Sequence, residues 1–563
     1  MKLLIRDYLA SLKERNELDA ILPDLLSELG FTVISRPGRG TSQHGVDIAA
    51  VGEDEDGERK VFLFSIKQGD VTRQDWDGNP QAIRASLNEI RDAYIRNRIP
   101  VRYQTLRVVI CLAFGGDLQE QVRDSWSGYV KANTTDHISF EEWNGDKIAG
   151  LILKGILREE ILHKDLRSSF RKAVAMVDEP DVSFAHFLRL TDGLHRAGEI
   201  SNKAKVRSAR QLNICLWILF VWARDAGNLE APYRASEIGL LKVWDLLRPC
   251  IGKKSKETTA LANSLMKLIF LHLTIASELI EKKVIPHANV RHGFSRAIRA
   301  RDSLDVNLAC FEVLGRIGLT GLWFHWLWDR SGNKGNDEMR QGVVRFVRAG
   351  LDLIQNNPTL YSPRADRQGT DIALFLLLWM RSGQGAEEVV SWLLEMANRI
   401  TYAIQTRGLY PLSSADYRDL SAHPRERSDE YFKETTCGSA LLPLITAWLE
   451  AFKQDDVVKK LSSLAQKELE HCTFQLWMPD SNSEAELFSG MLGHGKAIYD
   501  LPLCEGGRML LTTIAEACRT DTDFPKISAV KTGFWPMVLT ACHHSRFPIP
   551  PQFWIQSLQP TSE

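Results

Sequence analysis

Two polar side chains interrupt apolar segments near the start of the chain. Asp47 lies within residues 45–49 (GVDIA), and Lys67 follows Ser65 near the end of residues 62–68 (FLFSIKQ). Side chains two residues apart on a strand share a face, so Ser65 and Lys67 are expected to point the same way, opposite the large apolar side chains between them. The two segments flank an acidic stretch with an Asp-Gly turn signal. This arrangement predicts a β-hairpin that brings Asp47 beside Lys67.

A carboxylate beside an ammonium group at the end of a sheet suits phosphodiester hydrolysis. The carboxylate can hold Mg²⁺ or Mn²⁺, which polarises the phosphoryl oxygen and activates a water, while the lysine orients that water or offsets charge in the transition state. Each residue also has a simpler interpretation: Asp47 could bond a turn at its strand end, and Lys67 could protect a strand edge from aggregation. The pair in this register favours the catalytic interpretation.

The elements around the pair predict a mixed α/β domain with a central sheet flanked by helices. Apolar residues at helical spacing predict a helix over residues 18–29, in which Pro23 kinks or restarts the helix and Gly30 ends it. We expect this domain to cover residues 1–163 and an all-helical sensor or regulatory region, with one or two subdomains, to cover residues 164–563. The predicted strands are 31–35, 46–51, 60–67, 106–114 and 137–141, and the further helices are 81–98, 118–131 and 146–162.

This order of elements and motifs resembles the PD-(D/E)xK restriction-endonuclease-like superfamily, in particular its Mrr-type branch. That branch has a helix with an acid, a Gly-Tyr/Phe pair and a strand, then a GxD strand and an (E/Q)xK strand. Gly30-Phe31, Gly45-Val46-Asp47 and Lys67 match this pattern, and Asp19 falls where the branch usually has glutamate. The resemblance covers roughly residues 14–160, a domain of ordinary size, and implies a restriction-endonuclease-like fold there.

The resemblance also implies roles for the site residues. Asp47 and Asp19 would hold Mg²⁺ or Mn²⁺ together with the backbone carbonyl of Ile66, and Lys67 would assist the attacking water. The acid or glutamine that the family has two positions before the lysine is Ser65 here, and a serine is a poor Mg²⁺ ligand. Two alternatives therefore stay open: an active endonuclease, or a catalytically degenerate scaffold that recognises nucleic acid or a partner protein.

As an enzyme, the chain would be a Mg²⁺-dependent deoxyribonuclease, with RNA as the alternative substrate. Mrr-type modules fused to unrelated regulatory domains suggest an effector of prokaryotic restriction or anti-phage defence. The sequence shows no helicase or ATPase motif that we recognise, so any energy-dependent step would need a separate sensor or ATPase partner protein. We expect a homo-oligomer.

Residues 282–301 form a basic segment in the predicted helical region, with six lysines and arginines and no acid. Helical spacing would place His292, Arg296 and Arg299 on one face. This face could track nucleic-acid phosphates, or it could be a solvated face that pairs with acidic helices elsewhere. The predicted nucleic-acid contacts are Lys282, Lys283, Arg291, Arg296, Arg299 and Arg301.

The composition limits the remaining classes. The chain has 563 residues and a net charge of −1, divided into −5 for residues 1–163 and +4 for the rest, which excludes a strongly basic histone-like binder and predicts local binding of nucleic acid. Its first residues carry charge too early for a signal peptide, and its apolar runs are shorter than the ~18–20 residues of a membrane span. Nine scattered cysteines without a CxxC pair indicate reduced thiols. Together these features predict a cytoplasmic protein without a membrane anchor.

Overall fold

The computed structural model describes residues 2–12, 18–35, 44–54, 56–78, 82–155, 164–332, 337–423, 428–480, 483–489 and 495–558. The chain divides into two compact units, one of residues 1–235 and 252–268 and the other of residues 236–251 and 269–563. The domain boundary predicted between residues 163 and 164 falls next to a stretch, 156–163, that lies outside the described residues.

The first unit contains five strands, each within one or two residues of a predicted strand at most boundaries. These are β1 (Thr32–Ser35), β2 (Ile48–Glu53), β3 (Arg59–Lys67), β4 (Val108–Phe114) and β5 (Ile138–Trp143). The helices of its first 155 residues are α1 (Lys2–Ser11), α2 (Asp19–Glu28), α3 (Arg73–Asp77), α4 (Ile83–Glu89), a π-helical turn (Ile90–Tyr94) leading into α5 (Ile95–Asn97), α6 (Glu120–Asn133) and α7 (Gly145–Gly155). The predicted mixed α/β architecture is confirmed.

The strands form one mixed sheet in the order β1-β2-β3-β4-β5. Strands β1, β2 and β3 pair antiparallel, and β3, β4 and β5 pair parallel. The β2–β3 hairpin sets the register, with Ile48 opposite Phe64 and Glu53 opposite Arg59. Since parallel strands begin and end at the same edges, the carboxyl ends of β3, β4 and β5 meet at one end of the sheet, where β2 begins.

Both faces of the sheet are covered, as expected for strands that are apolar throughout. Helices α3, α4 and α6 pack on one face, and α1, α2 and α7 belong to the opposite side. Aromatic rings pack on the second face, with Phe62 edge-on to Phe31 and Phe64 edge-on to Trp143. The first face has a core of Ala49, Val51, Val61, Leu63, Ile110, Leu112, Trp76, Ile83, Leu87, Trp126 and Tyr129.

A tight turn leads into β2. His44 and Gly45 both have positive φ, 47° and 75°, and Asp47 sits in a bend before the strand begins at Ile48. On a continuous strand Val46 and Ile48 would share a face, but Val46 packs with Ala49 in the core of the first face. The reason is that strand alternation starts only at Ile48, after the turn.

Helix α2 runs as one element through Pro23, so the alternative that a fresh helix starts there is wrong. Because Pro23 has no N–H, it cannot bond the carbonyl of Asp19. Its own carbonyl accepts from Ser27 Oγ at 2.8 Å. Gly30 ends the helix with φ of 91°, as predicted.

Four long helices complete the first unit or begin in it. They are α8 (Lys164–Ala175), α9 (Pro180–Gly198), α10 (Asn202–Asp225) and α11 (Glu230–Leu247), the last of which continues into the second unit. Helix α12 (Lys256–Lys283) also starts in the first unit and ends in the second. Buried ion pairs tie α2 into this set, with Glu28 bound by Arg210 at 2.6 Å and Asp24 bound by Lys267 at 2.7 Å.

The second unit is built mainly of helices. They include α13 (Ile285–Ala288), α14 (Gly293–Ala297), α15 (Ser303–Arg330), α16 (Asp337–Asn356), α17 (Gly369–Ser382), α18 (Ala386–Gln405), α19 (Tyr417–Ala422), α20 (Asp429–Thr435), α21 (Leu441–Ala451), α22 (Asp455–Glu468), α23 (Glu484–Ser489), α24 (Gly507–Thr520), α25 (Ser528–Lys531), α26 (Pro536–Ser545) and α27 (Ile555–Leu558).

Four short strands correct the expectation of an all-helical region. Strand β6 (Gly438–Ser439) pairs parallel with β7 (Thr473–Phe474), and β8 (Leu476–Met478) pairs antiparallel with β9 (Lys496–Ile498). Strands of two or three residues are too short to show a period of two in the sequence, which is why they were missed.

Helix α15 is the central helix of the second unit and packs against α16, α17 and α26. A Cβ at Gly318 would lie 2.7 Å from the backbone of Leu374, so the absence of a side chain lets α17 approach closely. Trp323 and Trp326 of α15 are buried and donate to Thr540 Oγ1 at 3.1 Å and to the carbonyl of Gly533 at 2.6 Å. The aromatic run at residues 318–328 therefore contributes to the helical core.

Among the described residues, one helical stretch, Lys256–Ala288, is long and apolar enough to qualify as a membrane span by length and composition. This corrects the expectation that every apolar run is too short. More than half of its apolar window, 56 %, is buried inside the protein, as in core helices of soluble proteins that pass the same test.

The turn at Gly45 gives a first prediction. A Cβ at Gly45 would lie 2.3 Å from the carbonyl oxygen of Ser86, whereas a Cβ at Gly57, with φ of 79°, would meet no atom within 4 Å. Gly57→Ala should cost only the left-handed backbone strain, about 1–2 kcal/mol. Gly45→Ala adds a backbone clash, so its melting temperature should fall clearly below that of Gly57→Ala in thermal unfolding of the full chain. Equal losses in the two variants would contradict the close approach of Ser86.

Candidate active site

The predicted pair lies at one end of the sheet on neighbouring strands. Asp47 immediately precedes β2, and Lys67 is the last residue of β3. At this same end the parallel strands β4 and β5 finish, at Phe114 and Trp143. The ends of parallel strands are common places for ligands in α/β proteins, because side chains from several strands and loops meet there.

The Asp47 carboxylate bonds the backbone where the β2–β3 pairing stops. Its Oδ2 accepts from the N–H of Ile66 at 2.7 Å, and the N–H of Asp47 donates to the carbonyl of Phe64 at 2.8 Å. The side chain therefore takes the position of a missing strand partner. This role differs from the turn bond that we considered for Asp47 by itself, because the donor Ile66 lies within β3, and it fixes the carboxylate beside the end of that strand.

The same geometry places the carbonyl of Ile66. Residues two apart on a strand present their backbone groups to the same neighbour, and the N–H and C=O of one residue point to the same side. Phe64 and Ile66 both bond Asp47, so the carbonyl of Ile66 also points to the Asp47 side. Two of the predicted oxygen ligands, the Asp47 carboxylate and the Ile66 carbonyl, therefore lie along the same edge of β3.

Ser65 and Lys67 share the face that carries α3, α4 and α6, as their spacing predicted. Val61 and Leu63 belong to the core of this face, and alternation continues the series to Ser65 and Lys67. Ser65 is only 2 % exposed, whereas Lys67 is half-buried at the strand end. A longer, acidic side chain at position 65 would lie on the Lys67 face.

Asp19 stands in the first turn of α2 and is half-buried. Helix α2 packs against β1 and β2 on the side opposite the Lys67 face. A site shared by Asp19, Asp47 and Lys67 would therefore have to lie beyond the end of the sheet, past the last β2–β3 pair of Ile48 and Phe64.

Sequence reasoning missed several residues at this end of the sheet. Asp70 Oδ1 accepts from the N–H of Asp117 at 2.8 Å, and a Cβ at Gly116 would lie 2.2 Å from that same oxygen. Arg6 of α1 bonds the Asp117 carboxylate at 2.5 Å. The structure uses one oxygen of Asp70 as a backbone cap. The signal that could have found Asp117 is the parallel arrangement of β3 and β4.

The predicted donor atoms are of the right type for a hard divalent cation, but they are few. Within the described part of the chain, no three His, Cys, Asp or Glu side chains converge as a metal-binding group. Asp47, the carbonyl of Ile66 and Asp19 offer oxygen alone, which is the donor type that Mg²⁺ takes, and Mg²⁺ usually keeps several waters beside one or two carboxylates.

The basic segment 282–301 does not form the predicted helix. Helix α12 ends at Lys283, and the short helices α13 and α14 follow, separated by residues 289–292. His292 has a φ of 58°, and Ile298 is extended after α14, so His292, Arg296 and Arg299 do not share one helical face. All six predicted basic contacts remain exposed, and Lys282 pairs with Glu278 on α12. The predicted nucleic-acid contacts therefore lie on turns and helix ends.

A buried ionic network in the second unit was also not predicted. Glu237 accepts from His543 Nδ1 at 2.6 Å and lies 3.6 Å from His544 Nδ1, while Arg546 binds Asp371 at 2.7 Å. Burial alone would raise the pKa of Glu237, but His543 and His544 hold that pKa well below its ordinary value. Burial raises the pKa of Asp371 despite Arg546. His543 and His544 therefore compensate the charge of an internal carboxylate.

His272 lies next to this network and gives a prediction on pH. It is fully buried, Ser236 Oγ lies 2.7 Å from its Nδ1, and burial lowers its pKa from 6.5 to about 4. A histidine that stays neutral in the fold but gains a proton when unfolded stabilises the fold fully above pH 6.5 and loses that contribution as the pH falls toward 4. The loss amounts to about 2 kcal/mol at pH 5.

We therefore expect the melting temperature to fall less between pH 7 and pH 5 in His272→Gln than in the wild type. His137→Gln, at an exposed position in the first unit, should keep the wild-type pH dependence. An unchanged difference in His272→Gln would show that His272 is not kept neutral by burial.

Three comparisons with known proteins bear on the identity of the chain. No protein-family model, no curated protein and no solved structure matches it. The functional conclusion therefore rests on the residues at the end of the sheet.

Proposed function

We propose that the chain is a metal-dependent endonuclease of the restriction-endonuclease-like class, with DNA as its substrate. The observation that carries the proposal is the placement of Asp47, the Ile66 carbonyl and Lys67 at one end of the mixed sheet. The helical region of residues 164–563 would sense or regulate, and an effector role in prokaryotic restriction or anti-phage defence follows from the resemblance to Mrr-type modules. A homo-oligomer and a separate sensor or ATPase protein remain part of this proposal.

The donor chemistry supports the cofactor assignment. Asp47 and the Ile66 carbonyl would hold Mg²⁺ or Mn²⁺, with Asp19 as the second carboxylate and water filling the other positions. A bound divalent cation of this kind polarises a phosphoryl oxygen and lowers the pKa of a bound water. The Asp47–Ile66 hydrogen bond supports this chemistry by holding the carboxylate in one orientation, since a fixed ligand avoids reorganisation during the reaction.

Lys67 would act on the reacting phosphate. Its position as the last residue of β3 lets a long, flexible side chain reach past the sheet while its backbone stays paired with Phe114. An ammonium group there would orient the attacking water or offset the charge that develops in the transition state. The half-buried environment strengthens such an electrostatic contribution relative to bulk water.

One observation favours a second candidate function. Ser65 replaces the family's acid or glutamine, and it is buried on the Lys67 face. One carboxylate oxygen of Asp47 is already engaged by the N–H of Ile66. A nuclease-like scaffold without catalysis, which binds nucleic acid or a partner protein, would need neither a third ligand nor a free carboxylate edge.

Cleavage of supercoiled plasmid DNA with Mg²⁺ or Mn²⁺ tests the catalytic proposal. Lys67→Ala should lower the rate at least about 100-fold, since it removes a group that acts in the transition state. Lys131→Ala makes the same charge change at an exposed position of α6 and should keep the wild-type rate. Equal cleavage by the wild type and Lys67→Ala, or none by the wild type with either metal, would contradict the enzyme.

Calorimetric titration with Mn²⁺ separates the enzyme from the scaffold. Asp47→Asn keeps an oxygen that can accept from the N–H of Ile66 but removes the charge that a cation needs, so the heat of metal binding should disappear while the melting temperature changes little. Asp70→Asn, which alters the cap of the Asp117 N–H at the same end of the sheet, should retain the heat. Binding heat that survives Asp47→Asn would place the metal elsewhere, and a wild type without heat would favour the scaffold.

A further inference from the structure

A basic groove of about 600 Å³ lies in the first unit, and its described lining includes none of the residues that the sequence suggested for nucleic-acid binding. The described residues that line it include one acid, Asp24, and four cations, Arg210, Lys253, Lys254 and Lys256. The three lysines fall within four consecutive residues. The groove therefore concentrates positive charge in a unit whose sequence is acidic on average over its first 163 residues.

Two acids at the groove are already neutralised. Asp24 is paired with Lys267 at 2.7 Å, and Glu28 is paired with Arg210 at 2.6 Å. Lys253, Lys254 and Lys256 are exposed, and among the described residues no carboxylate lies within 4 Å of their ammonium groups. Three positive charges thus face solvent without internal compensation, which is the electrostatic footprint of an anion site.

The wall of the groove continues as a polar stripe on α12. Lys256, Thr259, Asn263 and Lys267 recur at helical spacing on one face, and Thr259 and Asn263 are exposed. Eleven residues of helix extend about 16 Å. Because one strand of a duplex rises about 3.4 Å per nucleotide, this length corresponds to several consecutive phosphates.

The start of α12 adds to the same charge. Ser255 Oγ accepts from the N–H of Thr258 at 3.1 Å and thereby caps the helix, whose 28 residues end in a positive partial charge at Lys256. This effect is secondary to the lysines, which carry whole charges.

We propose that this groove binds the phosphate backbone of a nucleic-acid strand and so holds the substrate of the nuclease; this inference rests on the proposed function. The described lining contains no aromatic side chain on which a base could stack, which favours backbone contacts over recognition of bases or of a free nucleotide. Binding by the groove is therefore independent of sequence and strongly dependent on salt.

Helix α2 connects the groove to the sheet within the first unit. Asp24 lines the groove, and Asp19, in the first turn of the same helix, is a predicted metal ligand. Five residues of helix separate them by about 7.5 Å along the axis. A strand held in the groove is thus kept close to the helix that carries a candidate acid of the site.

Fluorescence anisotropy with a labelled 20-base-pair DNA duplex, in EDTA so that cleavage cannot occur, tests the groove. The variant with Lys253, Lys254 and Lys256 all changed to Ala should bind at least tenfold more weakly at 0.1 M salt. Its plot of log affinity against log salt should lose about 0.9 of slope per lysine, or about 2.7 in all. The control variant changes Lys459, Lys460 and Lys467 of α22 to Ala and removes the same charge from exposed positions, so it should bind as the wild type does.

Wild-type affinity and slope in the groove variant, or an equal loss in the control, would overturn the proposal. Displacement of the labelled duplex by free ATP, at a concentration at which unlabelled duplex displaces none of it, would also overturn the proposal. The groove would then be a nucleotide site. The result is independent of catalysis: a groove variant that loses DNA while the wild type never cleaves it would refute the nuclease but keep the groove. Unchanged DNA binding by the groove variant, together with cleavage that depends on Lys67, would refute the groove but keep the nuclease.

Discussion

At the point where β2 begins, the Asp47 carboxylate accepts a hydrogen bond from the N–H of Ile66 at 2.7 Å and completes a strand pairing that the backbone of β2 does not supply. This bond is possible because His44 and Gly45 turn the chain sharply before the strand, and Gly45 tolerates the nearby carbonyl of Ser86. The position of Asp47, the direction of the Ile66 carbonyl and the end of β3 at Lys67 all follow from this junction. A charged hydrogen bond to a backbone amide is strong enough to hold such an arrangement.

The same bond is compatible with both candidate functions. It orients the carboxylate, which favours metal binding, but it engages one of the two oxygens, which a purely structural role would also require. The buried Ser65 supplies no acidic ligand, so metal binding would depend on the few remaining oxygen donors. Asp19 approaches from the opposite face of the sheet, so the end of the sheet, and not one face, is where a cation could meet both carboxylates.

Sequence patterns predicted the five strands of the sheet well because each is long enough, or apolar enough, to show its period. Asp47 and Lys67 stood out because they are charged residues in apolar segments. What was not predicted depends on contacts between distant parts of the chain. Glu237 and His543 are 306 residues apart, and no local pattern relates them.

Other errors have local causes. The turn before β2 shifted Val46 to the other face, and the left-handed backbone of His292 broke the expected basic helix. Helix α1 was missed because charged residues interrupt its apolar pattern. The lysines at 253, 254 and 256 were visible in the sequence, but only the structure shows that they line a groove with the acids around it already paired. Charge runs acquire meaning from what surrounds them.

The most direct measurement of the central claim is anomalous diffraction from crystals of the wild-type chain soaked in Mn²⁺. We expect an anomalous peak at the end of the sheet, within direct coordination distance of an Asp47 carboxylate oxygen and of the carbonyl oxygen of Ile66. A chain that cleaves DNA with Mn²⁺ but shows its peak at other residues, with none beside Asp47, would contradict it.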